Sequence, residues 1–374
     1  MNRKSTEPFL STYFHSKGRK MGVPIAGNFE LTARCNFNCP MCYVHMTEEQ
    51  VAASGMELTA QQWLDLARQA KDRGMIFVLL TGGEPLMRKD FFEIYQGMKK
   101  MGLMISINTN GSMLSGEILE KFLEDPPCRF NISLYGGSNE TYAMMCGRPA
   151  YDQVKKNIRT LKAAGIDVSL NLSITPYNRQ DLARIYADAE ELDVNVRATS
   201  YMYPPIRLED GSFGCGNRLG AEEAAKCAVE WDVLRFCEEE FALRAQNMAN
   251  LVNTDQEGCP VESGEGIQCR AGSTSFWVTW DGRMLPCGMM TEPEVYPMQT
   301  GFDAAWERLR AAAAAIRTPS QCVTCASREI CGVCAAVCLA ETGKFDGVPE
   351  YVCEKARHMV QFTQQAYKKQ KENG

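Results

Sequence analysis

Three cysteines stand at C-x-x-x-C-x-x-C spacing in Cys35-Asn36-Phe37-Asn38-Cys39-Pro40-Met41-Cys42, directly after an apolar segment with Phe29 and Leu31 that reads as a strand. Thiolates gathered on one loop bind soft metals, and cysteine-rich loops are a usual seat of iron–sulfur clusters. The number of ligands matters. A four-iron cube takes four and this loop supplies three, so one iron is left open to a non-protein ligand. Structural zinc competes for such thiols, but it favours a C-x-x-C knuckle paired with a second one. A three-residue gap followed by a two-residue gap does not match that arrangement. The plainest alternative is three unpaired core thiols, and spacing this tight beside a strand end speaks against it.

A second cysteine field begins after Asn253, with Cys259, Cys269, Cys287, Cys322, Cys325, Cys331, Cys334, Cys338 and Cys353. Within it, Ser275-Phe276-Trp277-Val278-Thr279-Trp280, Asp281-Gly282 and Arg283-Met284-Leu285 predict a tight hairpin with a type I′ turn, leading into Pro286-Cys287. Cys322-x-x-Cys325, then five residues, then Cys331-x-x-Cys334 fits a zinc ribbon or an iron–sulfur site on spacing alone. A zinc site leaves most of the other thiols without a role, whereas electron-transfer sites beside another cluster use more of them. Cys227 and Cys237, ten apart, read as core thiols.

From about Val23 to Tyr201, strand-like and helix-like segments alternate as βα units do. Thr59 reads as the N-cap of a helix with Trp63, Leu64, Ala67 and Ala70 on one face, stopped by Gly74. Met75 to Leu80 is a continuous apolar run of the buried parallel kind. Further strands are expected at 104–107, 130–134, 168–172 and 194–196, with helices near 91–101, 115–123, 152–164 and 182–192. About six such units imply a parallel sheet with right-handed crossovers, closed as a barrel or partial barrel with its chemistry at the strands' carboxyl ends. Polar signals sit at those ends. Thr81-Gly82-Gly83-Glu84-Pro85 follows the second strand, where two glycines admit close backbone approach and a carboxylate can accept from an ammonium. Asn108-Thr109-Asn110-Gly111 ends the third strand and Ser133 the fourth, and Asn110 and Ser133 also suit turns or helix caps. The expected divisions are an N-terminal extension (1–22), the barrel (23–220), a linking helix (221–254) and a Cys-rich α+β unit with a C-terminal helix (255–374). The stretch from Tyr201 to Gly220 is read as a loop over the barrel mouth.

The 374 residues carry a net charge of −6, which gives no electrostatic grip on nucleic acid or an anionic membrane. No apolar run approaches the roughly 18 residues of a spanning helix. Seventeen cysteines without a signal peptide indicate a reducing, cytoplasmic setting and metal binding rather than disulfides. His15, His45 and His358 are scattered and read as structural or exposed.

The three-thiol loop resembles the signature of the radical S-adenosylmethionine (radical SAM) superfamily, with apolar Met41 before the third cysteine and aromatic Tyr43 after it. The resemblance implies a partial (β/α)6 TIM-like barrel. It also implies that S-adenosylmethionine chelates the open iron of a 4Fe–4S cluster and is split to methionine and a 5′-deoxyadenosyl radical that abstracts hydrogen. In the family, Gly82-Gly83-Glu84-Pro85 holds the amino group of S-adenosylmethionine. Thr109, Asn110 and Ser133 match positions contacting its carboxylate and ribose, Arg148 matches an arginine after the fourth strand, and Asn171 and Asn178 flank the fifth. Reduction by a flavodoxin or ferredoxin is implied as well.

The second field resembles the SPASM extension of these enzymes, which carries auxiliary 4Fe–4S clusters. By that resemblance Cys322, Cys325, Cys331 and Cys353 hold a distal cluster, and Cys269, Cys287 and Cys334, with Cys259, hold a nearer one. The chain departs in its two-residue gap before Cys334, where three is common, and Cys338 offers an alternative. Without Cys259 the nearer cluster has an open iron that substrate can occupy. SPASM proteins mostly modify peptides, through thioether or carbon–carbon crosslinks or epimerisation, and a peptide substrate is the expectation. Sulfatase maturation is disfavoured, because Gly288 stands where those enzymes place an aspartate. About twenty residues before the first strand leave no room for a fused leader-binding domain, so any leader recognition is expected from the extension itself or from a separate leader-peptide-binding protein. Oxidation or epimerisation of a small molecule, a sugar or cofactor precursor, is the second reading. A non-catalytic iron–sulfur carrier is the third, and a carrier gains nothing from an open iron.

Overall fold

The computed structural model describes residues 9–204, 217–253 and 263–373. Six strands run parallel, each paired with the next in chain order: β1 (Ala26–Glu30), β2 (Phe77–Thr81), β3 (Met104–Thr109), β4 (Arg129–Ser133), β5 (Val168–Ser173) and β6 (Asn195–Thr199). Helix α1 (Phe9–Met21) precedes them, and α2 (Glu48–Ser54) and α3 (Ala60–Asp72) join β1 to β2. Then α4 (Phe91–Lys100) follows β2, α5 (Gly116–Glu124) follows β3, α6 (Asn139–Cys146) and α7 (Tyr151–Ala163) follow β4, and α8 (Leu182–Glu191) follows β5. This is the expected partial (β/α)6 barrel.

Local chemistry explains these elements. Thr59 caps α3 through a reciprocal box with Gln62, and Trp63, Leu66, Ala67 and Ala70 form its buried face against Phe29. The same Thr-x-x-Gln box at Thr47 and Gln50 starts α2, whose single buried Val51 is too little periodicity to predict a helix.

The expected single linking helix is instead two, α9 (Ala221–Arg235) and α10 (Glu238–Asn253). Phe236 is extended between them, and the Glu240 carboxylate accepts from the Cys237 N–H at 3.3 Å, which starts the second helix afresh. Three glutamates in that first turn suit the positive end of the helix dipole.

The cysteine-rich part is not a separate sheet. Strand β7 (Ser275–Val278) lies parallel beside β1 and β8 (Met284–Leu285) antiparallel beside β7, giving the order β6-β5-β4-β3-β2-β1-β7-β8. The hairpin turn differs from the type I′ expectation. Gly282 donates to the Thr279 carbonyl at 2.9 Å, and φ is positive at Gly282 (+89°) but not at Asp281. The turn is therefore a type I turn over 279–282 with a glycine bulge, which seats Trp280 against Ala33 and Val44 of the cysteine loop. Then come α11 (Pro297–Thr300) and α12 (Phe302–Ala315), where Phe302 and Trp306 pack on Phe276. His15 of α1 bonds Thr274 at the start of β7. The chain closes with α13 (Arg328–Cys331), α14 (Ala335–Thr342) and α15 (Glu350–Asn373), the last packed on α9 and α10. No helix of the described residues is long and apolar enough to cross a membrane.

Candidate functional site

The carboxyl ends of the parallel strands gather one group of loops, and the three-thiol loop enters it from β1. Its position is fixed by backbone. Gly83 donates to the Thr32 carbonyl and the Glu84 N–H to the Arg34 carbonyl, both at 2.8 Å. A β-carbon on Gly82 would stand 2.5 Å from the Thr32 oxygen, and one on Gly83 only 2.4 Å from the Arg34 oxygen. Glycine is needed so that the β2 turn can press against the segment leading to Cys35. From the other side buried Arg88 donates to the Leu31 and Leu58 carbonyls at 2.8 and 2.9 Å, and Arg34 pairs with Glu57. Gly83→Ala forces backbone against backbone and displaces the thiol loop. A drop in melting temperature equivalent to about 1–3 kcal/mol, with less than half the wild-type iron at that loop, is expected.

The Glu84 carboxylate is fully buried and used within the chain. It accepts from the Thr109 hydroxyl (2.9 Å to each oxygen), the Asn110 N–H (2.8 Å) and the Leu86 N–H (3.2 Å). Burial pushes its pKa up to about 7 against these donors. Its side chain thus joins the end of β2 to the end of β3. Glu84→Gln turns an amide N–H toward these donors, so a loss of about 1–3 kcal/mol in chemical denaturation is the expected result. Unchanged stability would contradict this joinery role.

Asn110 ties β3 to the loop. Its Nδ2 donates to Asn36 Oδ1 at 2.7 Å and lies 3.8 Å from Cys35 Sγ, while Asn36 donates to Ser112. Backbone N–H groups of Phe37 and His45 point at Cys35 Sγ (3.4 Å) and Cys42 Sγ (3.2 Å), the donor pattern that stabilises thiolates. Burial pushes the pKa of Cys35 up to about 12 and that of Cys42 up to about 11. Cys39 is raised furthest by a hydrogen bond with the buried Cys146 thiol, so iron binding here must displace protons. Among the described residues no three His, Cys, Asp or Glu groups converge on one point for a single ion. The loop thiols are mutual electrostatic neighbours all the same.

Tyr135, which sequence reading passes over, is half-buried with its hydroxyl beside Ser133 and near Cys39, Cys42 and Cys146, and its pKa is raised by desolvation and those thiols. Asn178 is consumed in bonds to Thr175, Tyr135 and Ser173. Arg148 is exposed, and its side chain has no hydrogen bond or ion pair among the described residues.

In the second field, Cys322, Cys325, Cys331 and Cys353 line one cavity of about 130 Å³, together with Arg328 and Arg357. The four residues assigned to a distal cluster are thus brought together, with two cations beside them. Cys338 is buried against Cys322. Cys287 and Cys334 meet at Tyr203, whose hydroxyl bonds the Cys334 thiol. Cys269 is exposed on a loop that passes Pro286, and Arg19 of α1 donates to its carbonyl at 2.7 Å. Cys259 and residues 205–216 of the mouth loop lie outside the described residues. A β-carbon on Gly288 would stand 2.8 Å from the Trp277 ring, whose Nε1 donates to buried Glu30 at 2.9 Å.

Between the two fields lies a cleft of about 470 Å³, lined by Tyr43, the β5 and β6 ends (Ser173, Thr199), Tyr201, Tyr203, Met289, Cys331, Cys334 and Lys355. Its wall is pinned: the Tyr201 hydroxyl donates to Glu341 at 2.7 Å, Arg218 pairs with the same carboxylate, and Arg218 stacks on Tyr351. Burial lowers the pKa of Lys355.

Residues 29–189 match the Radical SAM superfamily. The chain is 25% identical to the AdoMet-dependent heme synthase of Methanosarcina barkeri, over 85% of this chain and 93% of that protein. It is 34% identical to a probable GTP 3′,8-cyclase of Saccharolobus islandicus over 44% of this chain, spanning about half of that protein's length (53%). The fold is shared with Streptococcus suis SuiB bound to S-adenosylmethionine (TM-score 0.61, 17% identity, 94% of this chain and 82% of that one). It is shared equally with anSMEcpe with bound AdoMet (TM-score 0.68, 16% identity, 94% and 100%).

Proposed function

We propose, proceeding from the radical SAM domain at residues 29–189, that this enzyme cleaves S-adenosylmethionine reductively and takes hydrogen from a substrate in the 470 Å³ cleft. One observation carries this reading. Tyr43 of the three-thiol loop and Cys331 and Cys334 of the second field line the same cleft, so a substrate there touches both cysteine fields.

A four-iron cluster with S-adenosylmethionine supplies hydrogen-atom abstraction, releasing methionine and 5′-deoxyadenosine. The chain's part is to hold and orient. Cys35, Cys39 and Cys42 bind iron. The Gly82-Gly83 backbone, shaped by Pro85, receives the amino group, with Tyr43 alongside. Asn110 and Ser133 face the carboxylate and ribose, and Thr109 acts through Glu84, to which its hydroxyl is already bonded. Cys322, Cys325, Cys331 and Cys353 hold a distal auxiliary cluster, and Cys269, Cys287 and Cys334 a nearer one.

The cleft admits one side chain or chain end rather than a folded surface, which suits a peptide whose remainder lies outside. Such a substrate is delivered by a separate leader-binding protein, with electrons from a flavodoxin or ferredoxin. A second reading, oxidation of a small cofactor precursor, is favoured by the likeness to the AdoMet-dependent heme synthase along 93% of that protein.

The test is anaerobic. Iron-loaded, dithionite-reduced protein is incubated with S-adenosylmethionine alone, and slow formation of 5′-deoxyadenosine and methionine in equal amounts is expected by chromatography. Fully loaded, folded protein that forms neither would refute the reading.

A further inference from the structure

We propose that the ammonium of Lys355 is the recognition point for a carboxylate of the substrate in the 470 Å³ cleft; this rests on the reading that substrate occupies that cleft. Residues three or four apart share a helix face. On α15, Lys355 turns to the large cleft and Cys353 and Arg357 to the four-cysteine cavity, while Val352 between them lines both. Lys355 therefore does not line that cavity, although Cys331 lines both and shares the cleft wall with it.

Lys355 is the one charged side chain on the cleft wall among the described residues. Three of the other polar groups there are engaged. The Tyr201 hydroxyl bonds Glu341, the Thr199 hydroxyl bonds the Tyr201 carbonyl, and the Tyr203 hydroxyl bonds Cys334. Lys355 has no hydrogen bond or ion pair among the described residues. The acid acting on it electrostatically is Asp232, which is already bridged to Arg235 (2.7 Å) and Arg244 (2.8 Å). A half-buried ammonium without a partner is costly, and an anion arriving with the substrate relieves that cost. Around it Tyr43, Tyr203, Met202, Met289 and Val337 offer an aromatic and thioether wall. The ligand class is thus an apolar or aromatic body bearing a carboxylate, supplied either by a small acid or by a peptide's terminal or side-chain carboxylate.

The experiment is calorimetry on anaerobic, iron-loaded protein with S-adenosylmethionine, using two probe pairs. One pair is 2-naphthoate and 2-naphthamide; the other is acetyl-Phe-Phe and its C-terminal amide. At least one acid is expected to bind about tenfold or more tighter than its amide, as hydrogen bonds to charged groups allow. The naphthoate pair reports a small acid and the dipeptide pair a peptide source. Lys355→Met is expected to abolish the preference while amide binding persists, and Lys355→Arg to keep it. Neither acid outbinding its amide overturns the proposal, and this result needs no variant. A preference unchanged in Lys355→Met overturns it too. So does loss of auxiliary iron in Lys355→Met, which would make the lysine a counter-charge for cysteines. Absence of 5′-deoxyadenosine with an intact acid preference would instead sink the proposed reaction and leave this site standing.

Discussion

Replacing Cys35, Cys39 and Cys42 together with alanine removes about four of about twelve irons per chain and lowers 5′-deoxyadenosine formation to background, on the basis of four-cysteine cube ligation. This is the largest effect expected of any change. The thiols are the only part of the loop that the variant alters, since its anchors are backbone bonds from Gly83 and Glu84 and the Asn110–Asn36 contact. The barrel should therefore keep its circular dichroism and the second field its iron. Electron delivery to the sulfonium needs a metal at this loop, so loss of the ligands removes the reaction and not merely its rate. Iron analysis and chromatography on the same sample decide it. Unchanged turnover in the triple variant would exclude the loop, and stoichiometric zinc with only about four irons would exclude auxiliary clusters.

Replacing Cys322 and Cys325 with serine separates the second field from the first. Hydrogen abstraction needs only the first loop, whereas a net oxidation must send a further electron elsewhere. Uncoupled S-adenosylmethionine cleavage should stay within about twofold of wild type, while product formation falls by about two orders of magnitude or more, because the change removes the proposed outlet for that electron. Both residues line the 130 Å³ cavity with Cys331 and Cys353, so the change removes half of one ligand set. Cluster binding also supplies folding energy, so α13 and α14 must first be shown intact by melting and by retention of the remaining iron. A folded variant without distal iron that makes product at the wild-type rate would reduce that site to a structural one.

The two cysteine fields, the βα repeat and the glycine pair were legible because each is written in short-range spacing. Three thiols within eight residues must share a loop, and an apolar run between Gly74 and the Gly82-Gly83 pair must be a buried strand. The Asp-Gly dipeptide announced a hairpin correctly but not its type, since turn class depends on the φ of Asp281, which packing of Trp280 decides. Likewise the apolar periodicity of 221–251 does not reveal the break at Phe236, which a local carboxylate-to-backbone bond makes.

The sequence by itself determined which residue types are available for iron and which strand ends carry them. Only the tertiary structure decided what each is used for. Glu84 looks like a ligand carboxylate in isolation, yet buried donors from Thr109, Asn110 and Leu86 consume it, because a desolvated carboxylate must be satisfied wherever it lies. Lys355, unremarkable in a charged terminal helix, becomes the lone cation lining a cleft among the described residues because α15 folds back onto α9 and the barrel mouth. Such assignments join residues from different elements, 25 positions apart for Glu84 and Thr109 and 312 for Tyr43 and Lys355, and no local pattern encodes such contacts.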